Sequence, residues 1–173
     1  MVKLIFICEM NILHEVTKID ELIKSGRLGQ AVSDVSELAS SADLKRAERL
    51  QLAQLARRAF APKLGLNLLR PYVRPLAKNP QTATPEEKIE YAACLSWVGA
   101  LPECFKLLQE VEGERFPQAL LVHSLAHFAQ WDYAAAIPLL ERYIVHASVA
   151  PYWRLVGKVN LSAAQKQKKI PCL

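Results

Sequence analysis

The sequence predicts an all-α protein, built as a solenoid of four helical hairpins followed by one C-terminal helix. Three observations support this prediction. Apolar residues recur at helical spacing along most of the 173 residues, tight turns divide that pattern into pairs of helices, and the paired unit recurs. A single hairpin cannot bury its own apolar face, so neighbouring copies are expected to pack together into one continuous core.

The clearest copy of the hairpin lies between Pro117 and His146. Pro117 suits the first turn of a helix, where its missing N–H is no loss, and Asp132 is expected to cap the second helix. The apolar face of the first helix comprises Leu120, Leu121, Ser124, Leu125 and Phe128. The inner stripe of the second comprises Tyr133, Ala136, Ile137, Leu140, Tyr143 and Ile144.

The other copies can be aligned on their tight turns. The four turn residues are Gly26, Phe60, Gly99 and Trp131, which are 34, 39 and 32 residues apart as differences of their numbers. Five positions after each turn comes a small residue, in order Ala31, Gly65, Cys104 and Ala136. A large apolar residue follows at helical spacing: Val35, Leu69, Leu108 and Leu140. Small residues also recur on the first helices, at Ala53, Ala92 and Ser124, with a further one at Gly157. Small side chains at these places would let paired helices approach closely.

These features make the chain resemble a tetratricopeptide repeat (TPR) array, whose period is about 34 residues. The family's Trp…Leu-Gly signature is matched best by Trp153, Val156 and Gly157, and its second-helix Ala by Ala31 and Ala136. The chain departs from the family at Phe60 and Trp131, which occupy turns where Gly is usual, and in its long second repeat. The resemblance implies a right-handed α-α superhelix that binds a peptide or helix in a concave groove.

Turn and cap signals place the boundaries of the predicted units. Repeats are expected over residues 12–41, 42–80, 84–114 and 117–148, with a half repeat over 150–165, an N-terminal segment 1–11 and a basic tail 166–173. Predicted helices cover 12–25, 28–39, 43–60, 62 to the prolines at 71 and 75, 85–98, 102–112, two between 117 and 146, and 151–165. Thr84 and Glu87 have the spacing of a capping box.

Composition limits the class of protein. Just over half of the residues are apolar, so a continuous core can form, and none of the four cysteines has a Cys-x-x-Cys spacing. Cys94 and Cys104 fall on apolar helix faces and are predicted to be core residues in a reducing, cytoplasmic setting. The apolar run from Leu4 to Cys8 is too short for a signal peptide, and no run approaches a membrane span.

Candidate catalytic and metal-binding residues are few, so the sequence predicts a non-enzymatic protein with no cofactor and no metal. His123 and His127 are four apart on one helix, a spacing seen in metal sites, but Ser124 replaces the glutamate of the zinc-protease motif. Packing is the favoured interpretation, with metal binding, pH sensing and partner contact as alternatives. No glycine-rich phosphate loop and no Gly-x-Ser-x-Gly motif occurs.

The resemblance implies that residues on successive first helices line the groove. Those predicted to bind the partner are Lys24, Leu50, Gln54, Arg57, Arg58, Ile89, Trp97, Leu121, Leu125, Phe128, Arg154 and Lys158. Trp97 and Phe128 could instead pack in the core. The expected partner is a protein or peptide with apolar anchors and an acidic group, held by a scaffold, an adaptor or a chaperone-like subunit.

Other partners are disfavoured or left as alternatives. The net charge of +5 is modest, and the basic residues form no dense stripe, so nucleic acid is not the expected partner. A membrane is not expected either, since no apolar run approaches the length of a span. The last helix carries more apolar residues than one inner stripe needs, namely Tyr152, Trp153, Leu155, Val156, Val159 and Leu161. The alternative function is therefore a structural piece of a longer array, which would self-associate through its C-terminal end, as a homodimer for example.

Overall fold

The computed structural model describes residues 2–40, 44–74 and 82–168, of which residues 2–11 and 168 are described by their backbone alone. These ranges contain nine α-helices and no strand, which confirms the all-α prediction. The helices are α1 Val2–Lys24, α2 Leu28–Ala39, α3 Arg46–Arg58, α4 Pro62–Val73, α5 Pro85–Trp97, α6 Leu101–Gln109, α7 Pro117–Ala129, α8 Tyr133–Val145 and α9 Pro151–Lys168. None of the helices in the described ranges is long and apolar enough to cross a membrane.

The chain divides into two compact units, residues 1–82 and 83–173. In the first unit α1 pairs with α2 and α3 with α4, and α3 also contacts both helices of the preceding pair. In the second unit α5 pairs with α6, α7 pairs with α8, and α9 packs on α8. Each unit therefore consists of consecutive helical hairpins, as the sequence pattern predicts.

The four predicted turn residues all adopt the left-handed backbone conformation. Their φ angles are 76° at Gly26, 62° at Phe60, 80° at Gly99 and 62° at Trp131. Only glycine adopts this conformation without a steric cost. At Phe60 and Trp131 the turn therefore forms despite an unfavourable contact of the residue's own Cβ atom. All four predicted turns are therefore present, including the two that lack glycine.

The small residues that follow the turns lie at the helix contacts. Ala31, Gly65, Cys104 and Ala136 are all buried, as are the large apolar residues Val35, Leu69, Leu108 and Leu140. The small residues of the first helices, Ala53, Ala92 and Ser124, are fully buried as well. Cys94 and Cys104 are buried in the interior, as predicted. Close approach of paired helices is thus a shared property of all four hairpins.

Two predicted caps are present as expected. The Glu87 N–H donates to the Thr84 hydroxyl at 3.3 Å, and the Thr84 N–H donates to the Glu87 carboxylate at 2.8 Å, which is the reciprocal capping box. The Asp132 carboxylate accepts from the Ala135 N–H at 3.1 Å at the start of α8. Side-chain acceptors therefore satisfy exposed backbone donors at both helix starts.

Several predicted helix ends need correction. Helix α1 begins at Val2, ten residues before the predicted start, because nothing between Val2 and Asn11 breaks a helix. Helix α4 continues through Pro71 for two more residues, and α6 ends at Gln109, three residues early. Helix α3 begins at Arg46, where Glu48 accepts from the Lys45 N–H at 2.6 Å. The predicted helix start at residue 43 and the predicted effect of Pro75 lie outside the described residues.

Gly157 offers a test of the close approach between α8 and α9. A Cβ atom at this position would lie 2.8 Å from Cγ2 of Ile144 and 2.8 Å from Cδ1 of Tyr143. Gly157→Ala should therefore lower the free energy of unfolding by roughly 1–3 kcal/mol in urea melts. Gly29 in α2 has no neighbour within 4 Å of its Cβ direction and serves as the matched control. Gly29→Ala should raise stability by up to about 1 kcal/mol, and equal losses at both sites would contradict the packing.

Trp131 offers a test of the strained turn. Its side chain is 79% exposed, so little packing compensates for its left-handed backbone. Trp131→Gly should raise the free energy of unfolding by about 1 kcal/mol, measured by chemical denaturation followed by circular dichroism. Gly99→Ala, which places a Cβ at the equivalent turn, should lower it by a similar amount. A loss of stability in Trp131→Gly would show that the indole itself holds the turn.

Candidate partner-binding surfaces

Two basic residues of the first unit that were predicted to bind the partner form ion pairs with the same carboxylate. Asp20 on α1 lies 2.5 Å from the Lys24 ammonium and 2.6 Å from the Arg58 guanidinium, which reaches it from α3. The neighbouring Lys24 and Arg58 hold the pKa of the Asp20 carboxyl below its ordinary value. Lys24 and Arg58 therefore take part in an ion-pair cluster between α1 and α3, and their charge is partly neutralised within the fold.

The remaining predicted residues of the first unit follow one side of α3. Leu50 and Arg57 are half-buried and Gln54 is exposed, and their spacing of four and three residues places them on one helix face. The opposite side of α3 carries the core residues Leu52, Ala53, Leu55 and Ala56. This face is polar apart from Leu50, so it offers little apolar area to a partner.

In the second unit the structure buries two residues that were predicted to line the groove. Ile89 on α5 and Leu121 on α7 are each only 8% exposed. Leu121 belongs to a core cluster with Leu120, Leu140, Tyr143 and Val149. Helices α5 and α7 pack directly against each other, which closes the surface at these positions. Ile89 and Leu121 are therefore core residues, and little of either side chain is left for a partner to contact.

Trp97 and Leu125 differ from their buried neighbours. Trp97, the last residue of α5, is 53% exposed, and Leu125 on α7 is 40% exposed. Phe128 is half-buried against the core cluster, and its ring meets the Tyr133 ring edge to face at 5.2 Å. The two residues therefore differ in their surroundings. Trp97 is a surface residue, whereas Phe128 contributes to packing.

The two basic residues of α9 that were predicted to bind the partner have different surroundings. The Arg154 guanidinium donates to the backbone carbonyls of His146 at 3.2 Å and of Val149 at 3.1 Å, so it stabilises the connection between α8 and α9. Lys158 is exposed, and no salt bridge involves it among the described residues. Arg154 therefore has a structural role, whereas Lys158 presents its charge to solvent.

His123 and His127 stack with an aromatic residue of the neighbouring helix. The two imidazole centroids are 5.1 Å apart, and the Phe105 ring of α6 lies 5.4 Å from His123 and 4.7 Å from His127. Burial, together with the neighbouring His127, lowers the pKa of His123 from its ordinary value of 6.5. No group of three potential metal ligands occurs within the described ranges. This geometry favours the packing interpretation of the histidine pair.

Two potential nucleophiles are held in their protonated forms. The hydrogen bond and charge of Asp34, 3.1 Å from the Lys18 ammonium, raise the pKa of Lys18. Burial raises the pKa of the Cys104 thiol to about 11. A nucleophilic amine or thiol needs the opposite shift, toward the unprotonated form at neutral pH. Neither environment prepares its side chain for covalent catalysis.

Helix α9 carries an exposed apolar surface that the predicted binding set did not include. Tyr152, Trp153, Leu155 and Val159 are each more than half exposed. Of the other two apolar residues singled out on this helix, Leu161 packs against the core cluster and Val156 is half-buried. The sequence signal for this surface was the number of apolar residues on α9, because one inner stripe cannot hold all six.

The half-buried His123 predicts a pH dependence of stability. Because its pKa is lowered in the folded state, the folded chain binds fewer protons than the unfolded chain just below pH 6.5. The free energy of unfolding should therefore fall as the pH is lowered from 7 through this window, and His123→Gln should flatten the dependence. Urea melts between pH 5 and 7.5 measure the slope, and NMR titration of the His123 ring checks its pKa. An unchanged slope in the variant would contradict the assignment.

Comparison with known proteins assigns no function to these surfaces. No family model matches the chain, and no curated protein shows significant similarity to it.

Proposed function

We propose that this chain is a non-catalytic binding module of the TPR type, which holds a peptide or helix of a partner protein on the first helices of its hairpins. The four left-handed turns, each followed five residues later by a buried small residue, support the relation to such repeats. Repeats of this kind expose the first helices of successive hairpins side by side, which gives an extended surface for a ligand.

The observation that carries the proposal is the exposure of Trp97 and Leu125 on the two packed helices α5 and α7. A tryptophan that is half exposed leaves a large apolar area in water, and aromatic residues of this type dominate the energy of many protein interfaces. Ile89 and Leu121, on the same two helices, are buried in close packing, so each helix presents its exposed residue from an ordered base. A preorganised base lowers the entropic cost of binding, because fewer side chains need to be ordered.

The partner that suits this surface has an apolar anchor for Trp97 and Leu125. An acidic group on that partner would gain chiefly association rate and orientation from the basic residues predicted to bind it. The contributions first expected from Lys24, Arg58 and Arg154 are smaller, because these side chains already pair with Asp20 or with backbone carbonyls. We assign the module to a scaffold, an adaptor or a chaperone-like subunit in the cytoplasm.

A second candidate function is association through the C-terminal end, as part of a longer repeat array. The exposed apolar residues of α9 favour it, since a helix that ends an array normally has a polar outer surface. Size-exclusion mass at several concentrations distinguishes the two functions. A stable monomer supports the binding module, whereas association that grows with concentration supports the self-associating fragment.

Paired substitutions test the surface of Trp97 and Leu125. Capture of partners from the native lysate, identified by mass spectrometry, supplies the ligand. Trp97→Ala and Leu125→Ala should each weaken its binding by about tenfold or more while the melting temperature changes little. Ile89→Ala and Leu121→Ala are the matched controls and should lower the free energy of unfolding by roughly 2–5 kcal/mol, because they leave cavities in the core. Retained binding in Trp97→Ala and Leu125→Ala would contradict the proposal.

A further inference from the structure

Helix α9 has two opposite sides of different character. Gly157 and Ala164 face the interior, and Gly157 lies against Tyr143 and Ile144 of α8. On the far side Tyr152, Leu155 and Val159 are spaced three and four residues apart, so they form one stripe along the helix. All three side chains are between 60% and 68% exposed. The stripe is therefore a continuous apolar seam that no described part of the chain covers.

The position of α9 in the repeat pattern indicates which secondary-structure element would cover this seam. In the earlier hairpins the first helix packs against a second helix of its own pair, as α3 does with α4 and α7 with α8. Gly157 places α9 in the register of the first helices, since it continues the series Ala53, Ala92 and Ser124. A helix is thus the element that this architecture sets beside α9, and none follows it among the described residues.

The charge of α9 indicates what composition the covering helix would have. Helix α9 contains Arg154, Lys158, Lys166 and Lys168 and no aspartate or glutamate. Lys158 and Lys166 are exposed and border the seam, three residues after Leu155 and seven after Val159. A partner with carboxylates beside its apolar residues would complement this field, and one with lysines would be repelled.

The charge of α9 argues against a second copy as the occupant, and the width of the seam argues against a membrane. A second copy of the chain would bring two α9 helices of like charge together, which opposes a symmetric contact along the seam. A membrane surface favours helices with a broad apolar face, whereas Leu161 of α9 packs against the core cluster and Gly157 against α8. A seam that is one residue wide suits the packing of a helix into a groove.

We propose that the outward face of α9, formed by Tyr152, Leu155 and Val159 and bordered by Lys158 and Lys166, docks an acidic amphipathic helix of a partner protein. In this arrangement the partner's helix packs beside α9 as the second helices α4 and α8 pack beside α3 and α7. The docking face is separate from the surface of Trp97 and Leu125, so the two sites can fail or succeed independently.

Three synthetic peptides test the proposal on the full chain. Each carries leucines at positions i, i+3 and i+7 of a helical sequence, and the flanking positions hold glutamate, glutamine or lysine. Fluorescence anisotropy at several salt concentrations should show the glutamate peptide binding about tenfold or more tighter than the lysine peptide, with a gap that narrows as salt rises. Equal binding of the three peptides would overturn the proposal. No binding of the glutamate peptide at about 1 mM, the weak end of measurable association, would also overturn it.

Variants of the chain locate the site. The double variant Leu155→Ser with Val159→Ser should weaken binding of the glutamate peptide by about tenfold or more, because both apolar anchors are lost. Both residues are more than half exposed, so circular dichroism should show unchanged helix content. Lys158→Glu with Lys166→Glu should reverse the preference toward the lysine peptide. Leu13→Ser on the exposed surface of α1 is the control and should bind as the wild type does. Binding that survives the double serine variant would overturn the proposal.

Two further measurements exclude the other occupants. Sedimentation of the chain alone should give a monomer at all concentrations. A dimer that the double serine variant abolishes would overturn the proposal in favour of a second copy. Vesicles of phosphatidylcholine and phosphatidylserine should not retain the chain. Retention that the double serine variant abolishes would overturn it in favour of a membrane.

Discussion

The close approach of paired helices is the constraint on which the rest of this structure depends. Each hairpin brings its two helices together at a small buried residue, and each such residue follows a left-handed turn by five positions. The turn sets the direction in which the second helix leaves, and the small residue removes the side chain that would hold the two backbones apart. Gly157 extends the same rule to α9, where a single added methyl group would collide with Tyr143 and Ile144. Core packing, the positions of the surfaces and the exposure of their residues all follow from this spacing.

Most of the fold could be predicted from the sequence because turns and small residues are local signals. The alignment of Gly26, Phe60, Gly99 and Trp131 located every left-handed turn in the described residues, even though two of them are aromatic. Helix ends were less predictable, because a helix continues until something stops it. The residues between Val2 and Asn11 contain no such signal, so α1 extends well before its predicted start. Pro71 did not end α4 at once, since the helix continues to Val73.

The candidate surfaces were harder to predict, because helical periodicity specifies a direction and not a depth. Leu121 and Leu125 are one turn apart on the same side of α7, yet the first is a core residue and the second is exposed. The difference comes from the neighbouring helices, whose positions no local pattern contains. Ion pairs between residues far apart in the sequence could not be predicted, for the same reason. The contact of Arg58 with Asp20 joins residues 38 positions apart by their numbers, so a charge expected to face a ligand is partly used within the fold. The apolar excess on α9 was visible, but only the structure shows which of its residues remain outside.

The placement of the three tryptophans has a consequence for spectroscopy. Trp97, Trp131 and Trp153 are the only tryptophans in the sequence, and each is more than half exposed. They lie at three different features, namely the surface of α5, a left-handed turn and the start of α9. Their intrinsic emission in the folded chain already comes from indoles in contact with water, so it will shift little on denaturation. The same indoles should respond strongly when a bound molecule shields them. Chains that keep one tryptophan each would therefore act as built-in reporters, one for each feature.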